Sequence, residues 1–451
     1  MSLREFIEAE RAIGGAVLEI EEEVSTEYEG AALMKKHDGG PALVFRRLKG
    51  HTHQAVAGVC GSRDKIYRAI GADRETYCRR LAWAVQNPKP PEVVESGPVM
   101  EVVEPPDLDR LPIFKHYEKD PGRYITSGIV VARSVDGSFQ NASVHRMLVL
   151  GKDRLAIRIV PRHLYAMREE AAMIGKDLQV AVVIGTHPAV MVGVNSGPDY
   201  RVNELWVANS LLGGRMKAVR CPDVDIDVPS DAEFVLEGEI SADETADEGP
   251  FVDLTGTYDI VRKQPVVRIR RVMRRRDAIY QALLPGGSEH KLLMGVPKEV
   301  RMHEAISKTV PKVKGVRLTP GGCCWFHAVV SIKKQADGDG KNAALAALGS
   351  NPSLKHVVVV DEDVDIDNPE EVEWAIATRF QGDRGLIVVE GARGSTLDPS
   401  SDQTKILTAK LGIDATIPWS KPREKFSRAT IPEGTESEEC RWGVSGERRS
   451  G

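Results

Sequence analysis

The sequence predicts a mixed α+β protein in three parts, and three changes of texture along its 451 residues carry that expectation. Up to about residue 86, strand-like and helix-like segments alternate. From Asn87 to Pro112 prolines recur, at 88, 90, 91, 98, 105, 106 and 112, which favours an extended connector. From Ile125 to about Leu284 the chain becomes a series of short Val- and Ile-rich runs separated by turn residues, the pattern of a β-barrel. Beyond Arg301 strands and helices alternate again. The expected parts are an N-terminal α/β domain with its Pro-rich connector (1–110), a central β-barrel domain (111–300) and a C-terminal α/β domain (301–432). A polar, charged tail (433–451) is expected to be disordered.

Each element has a local reason. Ser2-Leu-Arg-Glu5 is a capping box that opens a first helix. Ala16 to Ile20, Ala42 to Phe45 and Val56 to Val59 read as strands; Thr26 to Lys36, Asp64 to Ile70 and Arg74 to Gln86 read as helices. In the middle, Gly128-Ile-Val-Val-Ala, Leu155-Ala-Ile-Arg-Ile-Val, Val180-Ala-Val-Val-Ile and Val266-Val-Arg-Ile are strands, interrupted by helices near Tyr165 to Met173 and Glu204 to Leu212. Toward the end, Ala328 to Ile332, His356 to Val360 and Gly385 to Val389 are strands, with helices at Lys341 to Leu348 and Pro369 to Thr378.

Composition narrows the function classes. Hydrophobic residues at 41% and charged residues at 28% describe a soluble globular protein. A net charge of -5, with no basic stripe carrying interleaved aromatics, argues against a nucleic-acid partner. No apolar run reaches membrane-spanning length, and the first ten residues are acidic and amphipathic, unlike a signal peptide. The six cysteines (60, 78, 221, 323, 324 and 440) lack metal-finger spacing and read as reduced thiols of a cytoplasmic protein. Asp363-Val-Asp365-Ile-Asp367 starts like a calcium loop, but Asn368-Pro369 breaks its register, so it reads as a strand end capping the next helix. Gly338-Asp-Gly-Lys341-Asn lacks the spacing and hydroxyl of a phosphate loop.

Two distant segments carry the chemistry. Asn141-Ala-Ser-Val-His145-Arg146 sets an amide and a guanidinium five residues apart. Glu248-Gly-Pro-Phe-Val-Asp253 sets two carboxylates five residues apart, with Gly and Pro making a turn that can bring both acids to one side. An arginine able to hold a carboxylate, beside two acids able to move a proton, suits chemistry on a carboxylic acid. Taken alone, Asn141 and Arg146 read as a turn residue and a surface arginine.

The pairing resembles the UbiD family of decarboxylases, over roughly Pro105 to Pro432. The resemblance implies a UbiD-like fold, with the central part a split β-barrel that binds prenylated flavin mononucleotide (prenyl-FMN). It implies that Asn141, His163 and Glu204 ligate Mn²⁺ or Mg²⁺, a mostly hard donor set, with a monovalent cation as a further cofactor. Val144, His145, Arg146, Arg158, Ile159, Val160, His163 and Leu164 would lie along the flavin, and Lys410 would reach its phosphate. Arg146 would orient the substrate carboxylate and bridge to Glu248, and Asp253 would protonate the product carbon. Many family members carry Glu at that last position, so Asp253 has a shorter reach.

Longer stretches are similar to one archaeal branch of the family. They include Tyr117-Glu-Lys-Asp-Pro-Gly-Arg-Tyr-Ile-Thr-Ser-Gly, Glu248 through Pro265, Leu283-Leu-Pro-Gly-Gly-Ser-Glu-His, Gly321-Gly-Cys-Cys-Trp and Leu397-Asp-Pro-Ser-Ser-Asp. That branch implies loss of CO₂ from trans-anhydromevalonate 5-phosphate to give isopentenyl phosphate. Lys263, His290 and Lys291 are candidate anchors for the phosphate. Implied partners are a flavin prenyltransferase as cofactor supplier and further copies of the chain, as a dimer or larger. The alternatives are an aromatic or heteroaromatic acid decarboxylase on the same machinery, and a non-catalytic flavin-binding protein. Retention of Arg146, Glu248 and Asp253 together speaks against the last.

Overall fold

The computed structural model describes residues 1–430; the tail expected at 433–451 and Cys440 lie outside them. The first helix, Leu3–Arg11, opens on its capping box: the Ser2 hydroxyl accepts from the Glu5 N–H, and the Glu5 carboxylate accepts the Ser2 N–H at 2.6 Å. Leu3, Phe6 and Ile7, at helical spacing, form its buried face. The N-terminal sheet has four strands. Val17–Val24, Ala42–Leu48 and Gln54–Ala57 were expected, with small shifts of boundary. The fourth, Ile279–Gln281, arrives from the end of the central segment and pairs in parallel with Gln54–Ala57.

The proline-rich stretch is extended and contributes two short strands. Glu92–Val94 pairs with Lys217–Arg220, and Val102–Glu104 with Arg262–Arg274. The central sheet has nine strands. Its path runs Tyr124–Ile125, Met147–Val149, Arg154–Ile157, Arg262–Arg274, Phe234–Glu248, Leu178–Ile184, Ile129–Arg133 and Gln140–Val144, with Val102–Glu104 beside Arg262–Arg274. The path does not close on itself, so the barrel is split. Alternating residues fill it: Val130, Val180, Val182, Leu155, Leu236 and Val267 are buried in one cluster. The long strands Phe234–Glu248 and Arg262–Arg274 run side by side until Glu248 stands opposite Arg262.

The C-terminal sheet runs Val313–Leu318, His327–Ile332, His356–Asp361, Leu407–Asp414, Leu386–Arg393. Asn368 caps the helix Pro369–Arg379 by accepting the Glu370 N–H at 3.0 Å, and Arg379 pairs with Asp363 at 2.6 Å. That agrees with the capping role and not with a calcium loop.

One long helix, Ser288–Ser307, ties these parts together. Buried Glu289 accepts the N–H groups of Gly58 at 2.9 Å and Cys60 at 2.8 Å. Buried Glu299 accepts from Arg63, from the Tyr77 hydroxyl at 3.0 Å and from the Leu318 N–H at 2.8 Å. Among the described residues the cysteines are free thiols, and no helix is long and apolar enough to cross a membrane.

Candidate active site

The strand Gln140–Val144 delivers Arg146 just past its end. The long strand Phe234–Glu248 delivers Glu248, and a tight hairpin of Phe251–Val252 with Tyr258–Asp259 carries the other acids. Gly249 makes the entry to that hairpin possible: its φ is +98°, and a Cβ there would sit 2.9 Å from the Ile260 carbonyl oxygen.

Arg146 lies under three carboxylates. Nε donates to Glu248 Oε1 at 2.8 Å and Nη2 to Glu248 Oε2 at 3.0 Å, a bidentate pair. Nη1 donates to Asp253 Oδ2 at 3.0 Å, and Nη2 also to Asp259 Oδ2 at 3.1 Å. The guanidinium packs over the Phe251 ring at 4.5 Å. Burial works against its charge, but the bond to Glu248 and the charges of Glu248, Asp253 and Asp259 win, so its pKa is raised. A guanidinium has five N–H groups. Four are engaged, which leaves one, on Nη1 beside Asp253.

The carboxylates differ in access. Glu248 is fully buried, Asp259 is 7% exposed and Asp253 is 18% exposed. Glu248 Oε1 also accepts from the Tyr124 hydroxyl at 3.3 Å, and that oxygen in turn accepts the Gly249 N–H at 3.1 Å. Burial and then the Glu248 charge hold the Tyr124 phenol far above its ordinary range. Asp259 also pairs with Arg262 at 2.6 Å. Burial alone would raise its pKa, but Arg262 and Arg146 hold it below the usual carboxylate value. The sequence reading did not select Asp259 or Tyr124, although both stand in the quoted stretches. Nothing local marks them; only the register Phe251↔Asp259 turns Asp259 toward Arg146.

The flank of the site is built from the expected segments. His145 Nδ1 stands 2.8 Å from the Arg158 carbonyl oxygen, which can only accept, so Nδ1 carries the proton and Nε2 accepts from the Ser143 hydroxyl at 2.9 Å. Burial pushes the imidazole down to about 4, so it is neutral. Arg158 uses a side-chain N–H on the neighbouring Ile159 carbonyl at 3.1 Å and is paired with no carboxylate among the described residues. Burial, then Arg262 and Arg146, lower its pKa. Ile159 and Leu164 are buried, Val144 is half-buried and Val160 is exposed. The Ile159 N–H is fixed by Gln264 at 2.8 Å.

Asn141, His163 and Glu204 converge. Glu204 opens the helix Glu204–Leu211 and is buried. Its Oε1 accepts from Asn141 Nδ2 at 2.7 Å and its Oε2 from the Ala142 N–H at 2.7 Å. His163, first residue of the helix His163–Met173, brings Nδ1 to 3.7 Å from Glu204 Oε1. Each carboxylate oxygen accepts one N–H and retains a lone pair, the imidazole stands beside Glu204 Oε1, and Asn141 Oδ1 accepts from the Ser143 hydroxyl at 3.4 Å. This mixed N/O donor set fits a hard divalent cation with open positions.

Lys410 is not part of this convergence. It lies on Leu407–Asp414, and its buried ammonium donates to the Leu348, Asn351 and Pro352 carbonyls at 3.4, 3.4 and 2.8 Å. A cation near the carbonyl end of the helix Asp339–Ser350 is satisfied there. Of the phosphate candidates, Lys263 is exposed and paired with Asp247 at 3.0 Å. His290 instead stands at the acid cluster: its Nδ1 accepts the Gly286 N–H at 3.1 Å, and a Cβ on Gly286 would sit 3.0 Å from the Asp253 carbonyl oxygen.

Comparison with known proteins assigns the family. Three domain families match in succession: the 3-octaprenyl-4-hydroxybenzoate carboxy-lyase N-terminal domain over 12–85, its Rift-related domain over 92–288 and its C-terminal domain over 291–415. The chain is 46% identical over 429 residues to the anhydromevalonate phosphate decarboxylase of Methanothermobacter thermautotrophicus, covering 93% of this chain and 98% of that protein. It superposes on the UbiD-class enzyme HmfF from Pelotomaculum thermopropionicum, solved with FMN, with a TM-score of 0.93, 41% identity and coverage of 96% of this chain and 98% of that one. An evolved dimeric form of HmfF, solved with prFMN, superposes with a TM-score of 0.89, 38% identity and coverage of 96% and 97%. The acid cluster thus stands in a fold shared with flavin-bound carboxy-lyases along nearly its whole length, and the chain belongs to the UbiD family.

Proposed function

We propose that this protein is a prenyl-FMN-dependent, non-oxidative decarboxylase that converts trans-anhydromevalonate 5-phosphate to isopentenyl phosphate and CO₂. The observation that carries the reading is 46% identity to an enzyme of that name across 93% of the chain, with Arg146, Glu248 and Asp253 joined in one cluster. When bound, prenyl-FMN supplies the electron sink that loss of CO₂ from an alkene carbon requires.

The residues of the chain do the rest. Asn141, His163 and Glu204 would hold a Mn²⁺-like ion, whose positive charge would favour binding of the flavin phosphate, and the segment Arg158 to Val160, just past the strand Arg154–Ile157, would line the flavin. A monovalent cation belongs to the same reading. Glu248, locked by Tyr124, fixes Arg146. Arg146 offers the substrate carboxylate its one free N–H, and Arg158, with no carboxylate of its own, supplies a second positive charge. Asp253, the most exposed acid of the three, is the proton donor to the carbon that CO₂ leaves. A flavin prenyltransferase as supplier, assembly of at least two chains and a cytoplasmic setting complete the reading.

The test is a product assay with flavin-loaded protein. The phosphorylated enoate should be turned over with release of isopentenyl phosphate, while a panel of aromatic and heteroaromatic acids is turned over far more slowly. Strong activity on the aromatic acids alone would replace this substrate with the other branch of the family.

A further inference from the structure

A second charged cluster, apart from the acids, has no counter-charge. Lys298, on the helix Ser288–Ser307, places its ammonium 4.4 Å from the centroid of the Trp325 ring. The other charges that face it are Arg162 and Arg301. Arg162 and Arg301 are exposed and Lys298 is half-buried, and none of the three has a carboxylate within ion-pair distance among the described residues. Trp325 is 5% exposed, and its indole N–H has no acceptor. A buried donor left unpaired is costly and calls for an explanation.

We propose that Arg162, Lys298, Arg301 and the Trp325 N–H bind the phosphomonoester end of the substrate. This rests on the reading above that the substrate is phosphorylated. A phosphomonoester dianion supplies what the cluster lacks: two negative charges for three cations, and oxygen acceptors for the indole N–H and the arginine forks. Burial, and then the charges of Arg162 and Arg301, push the Lys298 ammonium down to about 8.

Placement favours the substrate over the flavin as the source of the phosphate. The first turn of the helix Ser288–Ser307 abuts Asp253 through His290 and Gly286. Lys298 follows His290 by eight positions, about 12 Å along the axis. A short acid with its carboxylate at Arg146 and its far end laid along this helix would approach Lys298, whose long side chain can reach back toward it. The Gly321-Gly-Cys-Cys-Trp stretch thereby gains a role: Cys323 and Cys324, both at positive φ, make the turn that presents Trp325.

The experiment uses flavin-loaded Lys298→Met and Trp325→Phe variants. The reading is the ratio of kcat/KM for trans-anhydromevalonate 5-phosphate to that for its dephosphorylated alcohol. Lys298→Met should lower this ratio about 10- to 100-fold, and Trp325→Phe by a few-fold, consistent with loss of a charged and a neutral hydrogen bond. Flavin absorbance per chain should stay at the wild-type level. The Tm of Lys298→Met without phosphate should not fall, because the variant removes an uncompensated charge. An unchanged ratio overturns the proposal, and so does loss of flavin, which would assign the cluster to the cofactor's own phosphate. If the wild type shows no preference for the phosphorylated acid, the substrate reading fails, and methyl phosphate then decides the anchor. A Tm increase with methyl phosphate in the wild type but not in Lys298→Met sustains the site, and no increase in the wild type removes it.

Discussion

Arg146 grips Glu248 through two parallel hydrogen bonds, at 2.8 and 3.0 Å, across 102 positions of sequence. The pair uses one edge of the guanidinium, Nε and Nη2, and of the two Nη1 N–H groups one is bonded to Asp253 and the other is free. In the proposed reaction Glu248 is therefore a positioning residue, and Asp253, on the more open side at 18% exposure, is the acid.

Asp253→Asn keeps the shape of the side chain and removes its proton. Turnover should fall by ~10²–10⁴, the span for a positioned general acid, while flavin absorbance is retained because Asp253 is outside the metal trio. Asp253→Glu should keep partial activity. Near-normal steady-state turnover by the Asn variant would transfer the acid role to Glu248.

Asp259 holds Arg146 and Arg262 at once. Asp259→Asn should cost about 1–3 kcal/mol of stability, because it leaves two guanidiniums short of an acceptor. It should also lower kcat/KM about 10-fold by loosening Arg146. Denaturant unfolding and kinetics on one preparation check both; wild-type values in each would mean that Glu248 alone holds Arg146.

Glu204→Gln should lower bound metal and bound flavin together. The carboxylate accepts N–H groups from Asn141 and Ala142, and an amide nitrogen in its place opposes one of those donors. Metal analysis and the flavin spectrum are the measurements. Full loading of both in the variant would exclude Glu204 as a ligand. Chelation of the wild type should release flavin in the same proportion.

Glu289 gives a pH signature unrelated to catalysis. Burial drives its carboxyl from 4.5 up to about 7, against the lowering by the Cys60 and Gly58 N–H groups. The folded state therefore holds this proton more tightly than the unfolded state. Its stability contribution is fully present below about 4.5 and is lost as pH rises through about 7. Between those values the wild type should lose stability relative to Glu289→Gln, by at most ~1.4 kcal/mol per pH unit. Parallel curves for the two proteins would show that Glu289 does not titrate in this window.

What the sequence revealed depended on whether the signal was local. Ser2 and Glu5 sit three residues apart and announce their helix, as do Asn368 and Pro369. The helix Ser288–Ser307 was hidden because Pro297 interrupts it, yet the helix continues with Pro297 buried against its neighbours. The helix Pro188–Val194 was hidden because all seven of its residues are buried and show no period. Leu407–Asp414 mixes Leu, Ala and Ile with Thr, Lys, Gly and Asp in no clear alternation, yet it lies between two strands of the C-terminal sheet. In the site, Arg146, Glu248 and Asp253 were visible as a motif. Asp259 was not, since only hairpin pairing makes it a neighbour.

The strand Ile279–Gln281 has a consequence for how the molecule can be divided. It closes the four-stranded N-terminal sheet while its covalent neighbours belong to the central barrel. A fragment cut after the connector would lose that strand's partner and expose a bare sheet edge on each piece, an invitation to aggregation. Sequence families can be bounded near residues 85 and 290, but the stable unit of folding is woven across those boundaries, and the N-terminal and central segments should melt in a single transition.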